Sequence, residues 1–380
     1  MKKFPTLYKR TATGAEQEWS IISDGNSFYT LEGIVGGKIT QSKPNTCDVK
    51  NAGKANSTTV EEQSEKEAQA KWQYKLDHGY SLKLDKIDEV EFRDPMLCKN
   101  FEDFRHKVTY PVWVDDKKNG THCTAKNGVL KSRKAKTYNT IPHLIKALAP
   151  LFEKHKDLFL GGELFNEKLK NHLNRLIKLV SVGIKEKDLT PELLKESEEI
   201  VQFHCFDGYG FDDITDKTPF VQRREALKKL LKDIKYVFVL DYIECKNEKE
   251  VEDLKEESIK KGAEGLIIRW GDCPYEHKRS KFCLKYKNFQ ENEFKILGFE
   301  EGNGNWKGCV KMVICELDTE TPDGETSFRS NIKGTQEELS DLFKNQEKYI
   351  NQFCTVVYQE KSEYGVPQIP YTELPFRNYE

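Results

Sequence analysis

The sequence predicts an α+β protein in three segments: a small mixed module, a larger mixed domain and a terminal β-barrel. Three observations lead there. Apolar–polar alternation broken by glycine turns runs from Tyr8 to about Thr40 and gives way to one capped helix. Helix-like and strand-like periods then interleave as far as Phe289. Past Phe289 short strands return, with a single helix inserted among them.

In the first segment, residues 1–85, Glu18 to Ile22, Ser27 to Leu31 and Gly33 to Ile39 read as antiparallel strands. Thr59-Val60-Glu61-Glu62 opens a helix as a capping box, and Ala68, Trp72 and Leu76 carry its apolar stripe. A charged connector, Lys83 to Glu91, places the boundary near residue 90. The second segment spans 91–289. There Val112-Trp113-Val114 is a strand, Lys117-Lys118-Asn119-Gly120 a tight turn with Gly120 at positive φ, and Thr121-His122-Cys123-Thr124 a returning strand. Ile141, Leu144, Ile145, Leu148, Leu151 and Phe152 keep helical spacing behind a cap at Asn139 or Thr140. Further helices are expected over 167–181, 191–202, 219–233 and 248–261. Thr190-Pro191 and Thr218-Pro219 supply a cap followed by proline at the first helical position. Tyr236 to Tyr242 and Gly265 to Arg269 are apolar, β-branched strands. In the third segment, 290–380, Phe294 to Phe299, Cys309 to Leu317, Ser327 to Ile332 and Thr355 to Gln359 read as strands. With a turn at Thr321-Pro322-Asp323-Gly324, a helix from Gln336 and a proline-rich tail, they suit a small Greek-key barrel.

A chain of 380 residues can bury a core in each of two or three domains. With 61 Lys and Arg against 63 Asp and Glu, net charge predicts no nucleic-acid partner, so any basic surface must come from local clustering. The 10 cysteines form no CxxC pair, which argues against zinc and disulfide frameworks and for a reducing cytoplasm. Neither a leader nor an apolar run long enough for a membrane is expected.

The turn at Lys117 carries the chemistry. A lysine at the end of a buried strand is desolvated on one side, and basic neighbours or a metal would lower its pKa and make the amine a nucleophile. Lys118 is the alternative, pointing the other way if the strand alternates. Ser132-Arg133, Gly162-Glu163-Leu164, Phe206-Asp207-Gly208, Glu264-Gly265-Leu266-Ile267-Ile268-Arg269 and Leu284-Lys285-Tyr286-Lys287 follow in that order. The ordered set resembles the covalent nucleotidyltransferases, specifically ATP-dependent DNA ligases of phage and viral type.

That resemblance implies an adenylyltransferase domain of the DNA ligase/ATP-grasp-like kind at 91–289, an OB-fold at 290–380 and a WGR-like module at 1–85. It implies ATP and Mg²⁺ as cofactors, nicked duplex DNA as partner, a monomer, and a cytoplasmic location, the host's if the protein is viral. Lys117 would carry the AMP. Glu163 would work at the ribose and metal side and Glu264 at the metal, two carboxylates being enough for a hard dication that keeps its waters. Phe206 would stack on adenine, and Lys285 and Lys287, two apart on a strand and so on one face, would meet the α-phosphate. Arg133 and Arg377 would assist at the nucleotide. Lys38, Lys50 and Lys54, with Asn56, are candidates for DNA phosphates. Two departures stand out. His122 occupies the place where the family carries an arginine for the nick 5′-phosphate, and the terminal Phe376-Arg377-Asn378-Tyr379-Glu380 lacks the family's Asp-Lys ending. They keep open a nucleic-acid-binding protein that no longer ligates, while an RNA ligase and, more distantly, an mRNA guanylyltransferase are rivals that share the lysine chemistry.

Overall fold

The computed structural model describes every residue except 12, 90–93, 171, 183, 185–187, 363, 375 and 377–380. Six short strands open the chain: β1 (Lys2–Lys3), β2 (Leu7–Arg10), β3 (Glu16–Asp24), β4 (Ser27–Ile34), β5 (Ile39–Gln41) and β6 (Asn45–Thr46). They form one sheet around β3 and β4, with α1 (Val60–Asp77) packed against it. The capping box is present, the Thr59 hydroxyl accepting from Glu62 N and the Glu62 carboxylate from Thr59 N. Ala68 is fully buried, and Trp72 and Leu76 pack beside it against Phe4, Leu7, Trp19 and Phe28. The strand expected over Gly33 to Ile39 is broken by a turn between β4, which holds Gly33 and Ile34, and β5, which opens at Ile39; Gly36 takes φ +73° in that turn.

The middle of the chain runs β7 (Leu97–Asn100), α2 (Phe101–Phe104), β8 (Val112–Asp116), β9 (Thr121–Lys126), β10 (Val129–Ser132), α3 (Pro142–Lys154), β11 (Phe159–Phe165), α4 (Leu173–Leu179), α5 (Pro191–Ile200), β12 (Gln202–Tyr209), α6 (Phe220–Leu230), β13 (Val237–Val239), β14 (Ile243–Cys245), α7 (Glu248–Lys260), β15 (Gly265–Arg269) and β16 (Arg279–Lys287). Two five-stranded sheets result, in orders β10-β9-β11-β12-β13 and β14-β8-β15-β16-β7. The first buries Cys123, Ala125, Leu160, Leu164, Phe203 and Cys205 under the helices, and the second buries Val112, Val114, Leu266, Ile268 and Leu284.

The expected hairpin across Lys117–Gly120 is corrected here. β8 and β9 do not pair, and the segment carries the chain from one sheet to the other. Gly120 does not take a left-handed φ. Glycine is required because a Cβ would stand 2.4 Å from the Leu164 carbonyl oxygen and 2.7 Å from Glu163 Cγ.

Local corrections follow the same logic of tertiary contact over local preference. Helix α3 takes Ile141 as its cap position and Pro142 as its first residue, while Asn139 donates to the Ile184 carbonyl at 2.6 Å instead. Pro219 occupies the cap position of α6, not its first turn, whereas Thr190 caps α5 as expected. Residues 167–181 split into a short 3₁₀ turn, Glu167–Leu169, and α4. Tyr236, at φ +67°, precedes a strand that ends at Val239.

The chain closes with β17 (Gln290–Glu301), β18 (Val310–Glu316), β19 (Ser327–Lys333), α8 (Gln336–Asn345), β20 (Phe353–Tyr358) and β21 (Tyr371–Glu373). These strands form a closed barrel, β17-β18-β19-β21-β20, the OB-like arrangement. The tail expected to be strandless supplies β21, parallel to β19 and antiparallel to β20, and so completes closure. Packing groups residues 1–92 with 289–380 and sets 93–288 apart. Within the first unit, Thr46 N donates to Asn305 Oδ1 at 3.1 Å and Gly304 N to Asp48 Oδ2 at 2.5 Å, fastening the amino-terminal module to the barrel.

Candidate active site

Between the two sheets of residues 93–288 lies a cavity of about 350 Å³, a size suited to a small ligand. Its lining includes Lys117, His122, Arg133, Glu163, Phe206, Lys285 and Lys287. Thus the structure brings together most of the residues the sequence singles out, from six separate strands and their ends.

Backbone pairing explains how Lys117 is placed. The β8–β15 ladder continues one step past its last paired residues, Lys117 N donating to Gly265 O at 2.9 Å and Glu264 N to Lys117 O at 3.3 Å. Gly265 permits the next approach, since a Cβ there would stand 2.3 Å from the Tyr286 carbonyl oxygen. Glu264 is thereby held between two cations, its Oε2 2.5 Å from Lys117 Nζ and its Oε1 2.6 Å from Lys287 Nζ. Lys118 turns elsewhere, its Nζ 4.0 Å from Asp116 Oδ2 and above the Phe165 ring.

The electrostatics differ from the sequence expectation at Lys117. Burial pushes the Lys117 ammonium down, but the Glu264 and Glu163 carboxylates outweigh it and hold the pKa above its ordinary value. Burial would raise Glu264, yet Lys117 and Lys287 pull it below the usual carboxylate range. Glu163, more deeply enclosed, is pushed by burial up to about 8 despite Lys117, with Glu264 adding to the rise. Lys285 is lowered by burial and then by Lys287.

Beneath the cavity lies a set of buried ion pairs that the sequence reading did not anticipate. Arg223, on α6, grips Asp207 with Nε and Nη2, both at 2.8 Å. Arg224 and Arg269 meet on Asp115 Oδ2 at 2.9 and 2.8 Å. Arg224 also donates to the Phe206 carbonyl, and Arg269 stands 5.4 Å from the centre of the Phe206 ring. Phe206 is therefore fixed from its backbone and from below its ring. Asp207 and Arg269 flank recognisable motifs, but nothing in the spacing of Arg223-Arg224 identifies their partners.

Burial would raise the Asp207 pKa, and the Arg223 fork outweighs it, leaving the carboxyl below its ordinary value. The pair therefore stabilises the fold above ~4 and loses that contribution as pH falls through the lowered folded value. Asp207→Ala leaves the Arg223 charge buried and unpaired and should cost about 3–5 kcal/mol, a Tm fall on the order of 10 °C. Arg175→Ala, at the exposed Glu196 pair, should cost under about 1 kcal/mol in the same melting experiment.

His122 lies directly across from Glu163 in the β9–β11 pairing and lines the cavity, its ring 6.0 Å from that of Phe206. Burial, with Arg133 adding to it, lowers its pKa to about 4, so at neutral pH it carries no charge for a phosphate. The side chain thus forms part of the cavity wall. Lys38, Lys50, Lys54 and Asn56 are exposed on the amino-terminal module. Arg377 lies outside the described residues. No cluster of three or more metal-ligating side chains occurs among the described residues. Glu163 and Glu264, facing the same lysine, still offer the hard oxygen donors that a magnesium ion with its own waters requires.

Residues 95–287 match the ATP dependent DNA ligase domain. Over 309 residues the chain is 27% identical to a DNA ligase of African swine fever virus, spanning 76% of this chain and 68% of the viral protein. A DNA ligase of Methanosphaera stadtmanae is 26% identical over 235 residues, 60% of this chain and 41% of that protein. Among solved structures, one described as Pmar-Lig_PreS3 superposes with a TM-score of 0.63 at 20% identity, over 78% of this chain and 72% of its own. A Lig E DNA ligase from work on DNA binding with a minimal scaffold gives a TM-score of 0.58 at 20% identity, over 75% of this chain and 100% of its own.

Proposed function

The chain belongs to the ATP-dependent DNA ligases, and from that premise we propose that it seals 5′-phosphate/3′-hydroxyl nicks in duplex DNA through a lysyl-AMP formed on Lys117. One observation carries this reading: Lys117 lines a ligand-sized cavity, its Nζ bonded to Glu264, with Lys285 and Lys287 in the same lining. In the first step the Lys117 amine attacks the α-phosphorus of ATP, an N–P bond forms and pyrophosphate leaves. Glu264 Oε2, 2.5 Å away, is the base in reach of the departing proton. Lys285 and Lys287 neutralise charge developing on the α-phosphate, and Phe206 receives the purine. A nick 5′-phosphate then displaces Lys117 to give an adenylylated DNA end, and the 3′-hydroxyl displaces AMP as the phosphodiester forms.

Glu163 and Glu264 would hold a magnesium ion, which supplies charge neutralisation at the phosphates. We place it as a monomer in the cytoplasm, the host's if the protein is viral. Joining of a nicked duplex with a 5′-phosphate tests the proposal: sealing with ATP supports it. Sealing of RNA nicks alone would assign the chain to an RNA ligase, and nick binding without sealing would make it a binding protein.

Residues 1–85, which resemble a WGR-like module, are proposed to bind duplex DNA through Lys38, Lys50 and Lys54. Changing all three to alanine should leave lysyl-AMP formation intact and weaken binding to nicked duplex. The slope of log affinity against log salt should become shallower by about 2–3, at ~0.9 for each phosphate no longer neutralised. An unchanged slope would mean that these lysines are merely solvated.

A further inference from the structure

Cys98, on β7, and Cys283, on β16, place their sulfurs 2.7 Å apart. The two strands run parallel, and their register shifts between Ser280 and Leu284, so the pair lies at an irregular step of the ladder. A disulfide needs a separation of about 2.05 Å, and the sulfurs reach it by closing less than about 1 Å. Cys98 is partly exposed and lines the cavity with Lys117, Arg269 and Lys285, whereas Cys283 is buried. A small oxidant entering the cavity therefore meets Cys98 first.

The two thiols are also unlike electrostatically. The hydrogen bond from Cys283 holds Cys98 below its ordinary pKa against the effect of burial, and Arg269 and Lys117 add to the fall. The same bond, with burial, pushes Cys283 up. One sulfur is thus suited to attack and the other to follow. The second close pair differs: Cys315 and Cys354, 3.7 Å apart, are both fully buried in the core of the barrel.

We propose that Cys98 and Cys283 form a modification site, a thiol pair that a hydroperoxide converts to a reversible disulfide and that thereby slows the attack of Lys117 on ATP. The Cys98 thiolate attacks one peroxide oxygen, the O–O bond breaks, and the leaving oxygen takes a proton to depart as water or an alcohol. Cys98 is then a sulfenic acid. The Cys283 sulfur attacks it, the S–S bond forms, and the hydroxyl leaves as water with the Cys283 proton. Two electrons have passed from the two sulfurs to the peroxide, and a dithiol reductant returns them by exchange. A reducing cytoplasm keeps such a pair as thiols except under oxidant, so the disulfide is transient.

The effect on chemistry follows from the register. Cys283 stands two residues before Lys285, and Lys285 pairs with Asn100, two residues after Cys98. Drawing the sulfurs together shifts the segment that presents Lys285 to the phosphates, and a displacement below 1 Å there costs on the order of tenfold in rate. This consequence rests on the proposed adenylylation, whereas the thiol chemistry does not.

The intact protein is treated with hydrogen peroxide, digested without reduction and mapped by mass spectrometry, while lysyl-AMP formation and equilibrium ATP binding without divalent cation are measured before and after. The expected result is a peptide linking Cys98 to Cys283, a loss of adenylylation rate on the order of tenfold with weakened ATP binding, and recovery of both on adding dithiothreitol. Cys283→Ala should keep the basal rate and form no link, and dimedone should then label Cys98, whose sulfenic acid has lost its partner. Cys98→Ala should form neither the link nor the label. Thiols that stay reduced in the wild type, a link confined to Cys315 and Cys354, or a Cys98–Cys283 link that changes neither rate nor ATP binding overturns the proposal. Absence of lysyl-AMP from the reduced wild type counts against the proposed function alone, because the mapping and ATP binding still decide the role of the thiol pair.

Discussion

Lys117→Ala should yield no protein-bound AMP and should lower joining by at least ~10⁴-fold, because the covalent route loses the amine that takes the AMP. Lys118 cannot substitute, its Nζ being drawn toward Asp116 and the Phe165 face. Lys117→Arg should be as inactive, since a guanidinium stays protonated and does not attack phosphorus at neutral pH. The fold should survive, because the Lys117 side chain is partly exposed and outside the hydrophobic clusters. Sealing of a pre-adenylylated nick is the informative control: it bypasses the Lys117 step and should persist in the alanine variant. Normal adduct yield from Lys117→Ala would remove the assignment.

Glu264→Gln should reduce magnesium-dependent adenylylation on the order of 10³-fold through two losses at once. The amide cannot accept the Lys117 proton, and it supplies no charge for the cation or for Lys287. The ion pairs at Glu264 tie three backbone segments together, so Glu264→Ala tests stability as well, and circular dichroism separates unfolding from lost chemistry. A Glu264→Gln protein that ligates at the wild-type rate would transfer the metal role to another carboxylate. Raising magnesium should not rescue the variant, because the lost proton acceptor is not replaced by the ion.

The motifs that meet around Lys117 were legible because each is short and local: Lys117 after an apolar strand, Glu264 before Gly265, and Lys285 and Lys287 on one strand face. Their assembly was not. Reading Lys117–Gly120 as a hairpin turn followed from glycine chemistry, whereas the chain uses Gly120 for close approach to Leu164 and crosses between sheets. The expectation of a lowered lysine pKa considered cations and missed that Glu264 and Glu163 converge on the same amine. Long-range ion pairs such as Asp115 with Arg224 and Arg269 leave no periodic trace, and β21 is three residues inside a proline-rich tail. In the amino-terminal module, by contrast, the Thr59 and Glu62 capping box announced α1 because both partners lie within one turn.

Pulse–chase of the intact wild-type protein tests the central claim most directly. The protein is incubated with ATP labelled at the α-phosphate and magnesium, mapped by peptide mass spectrometry, and chased with a nicked DNA duplex. The expected result is one AMP on Lys117 that passes to the nick 5′-phosphate and is released as the strand is sealed. AMP on any other residue, or an adduct on Lys117 that never passes to nicked DNA, would contradict it.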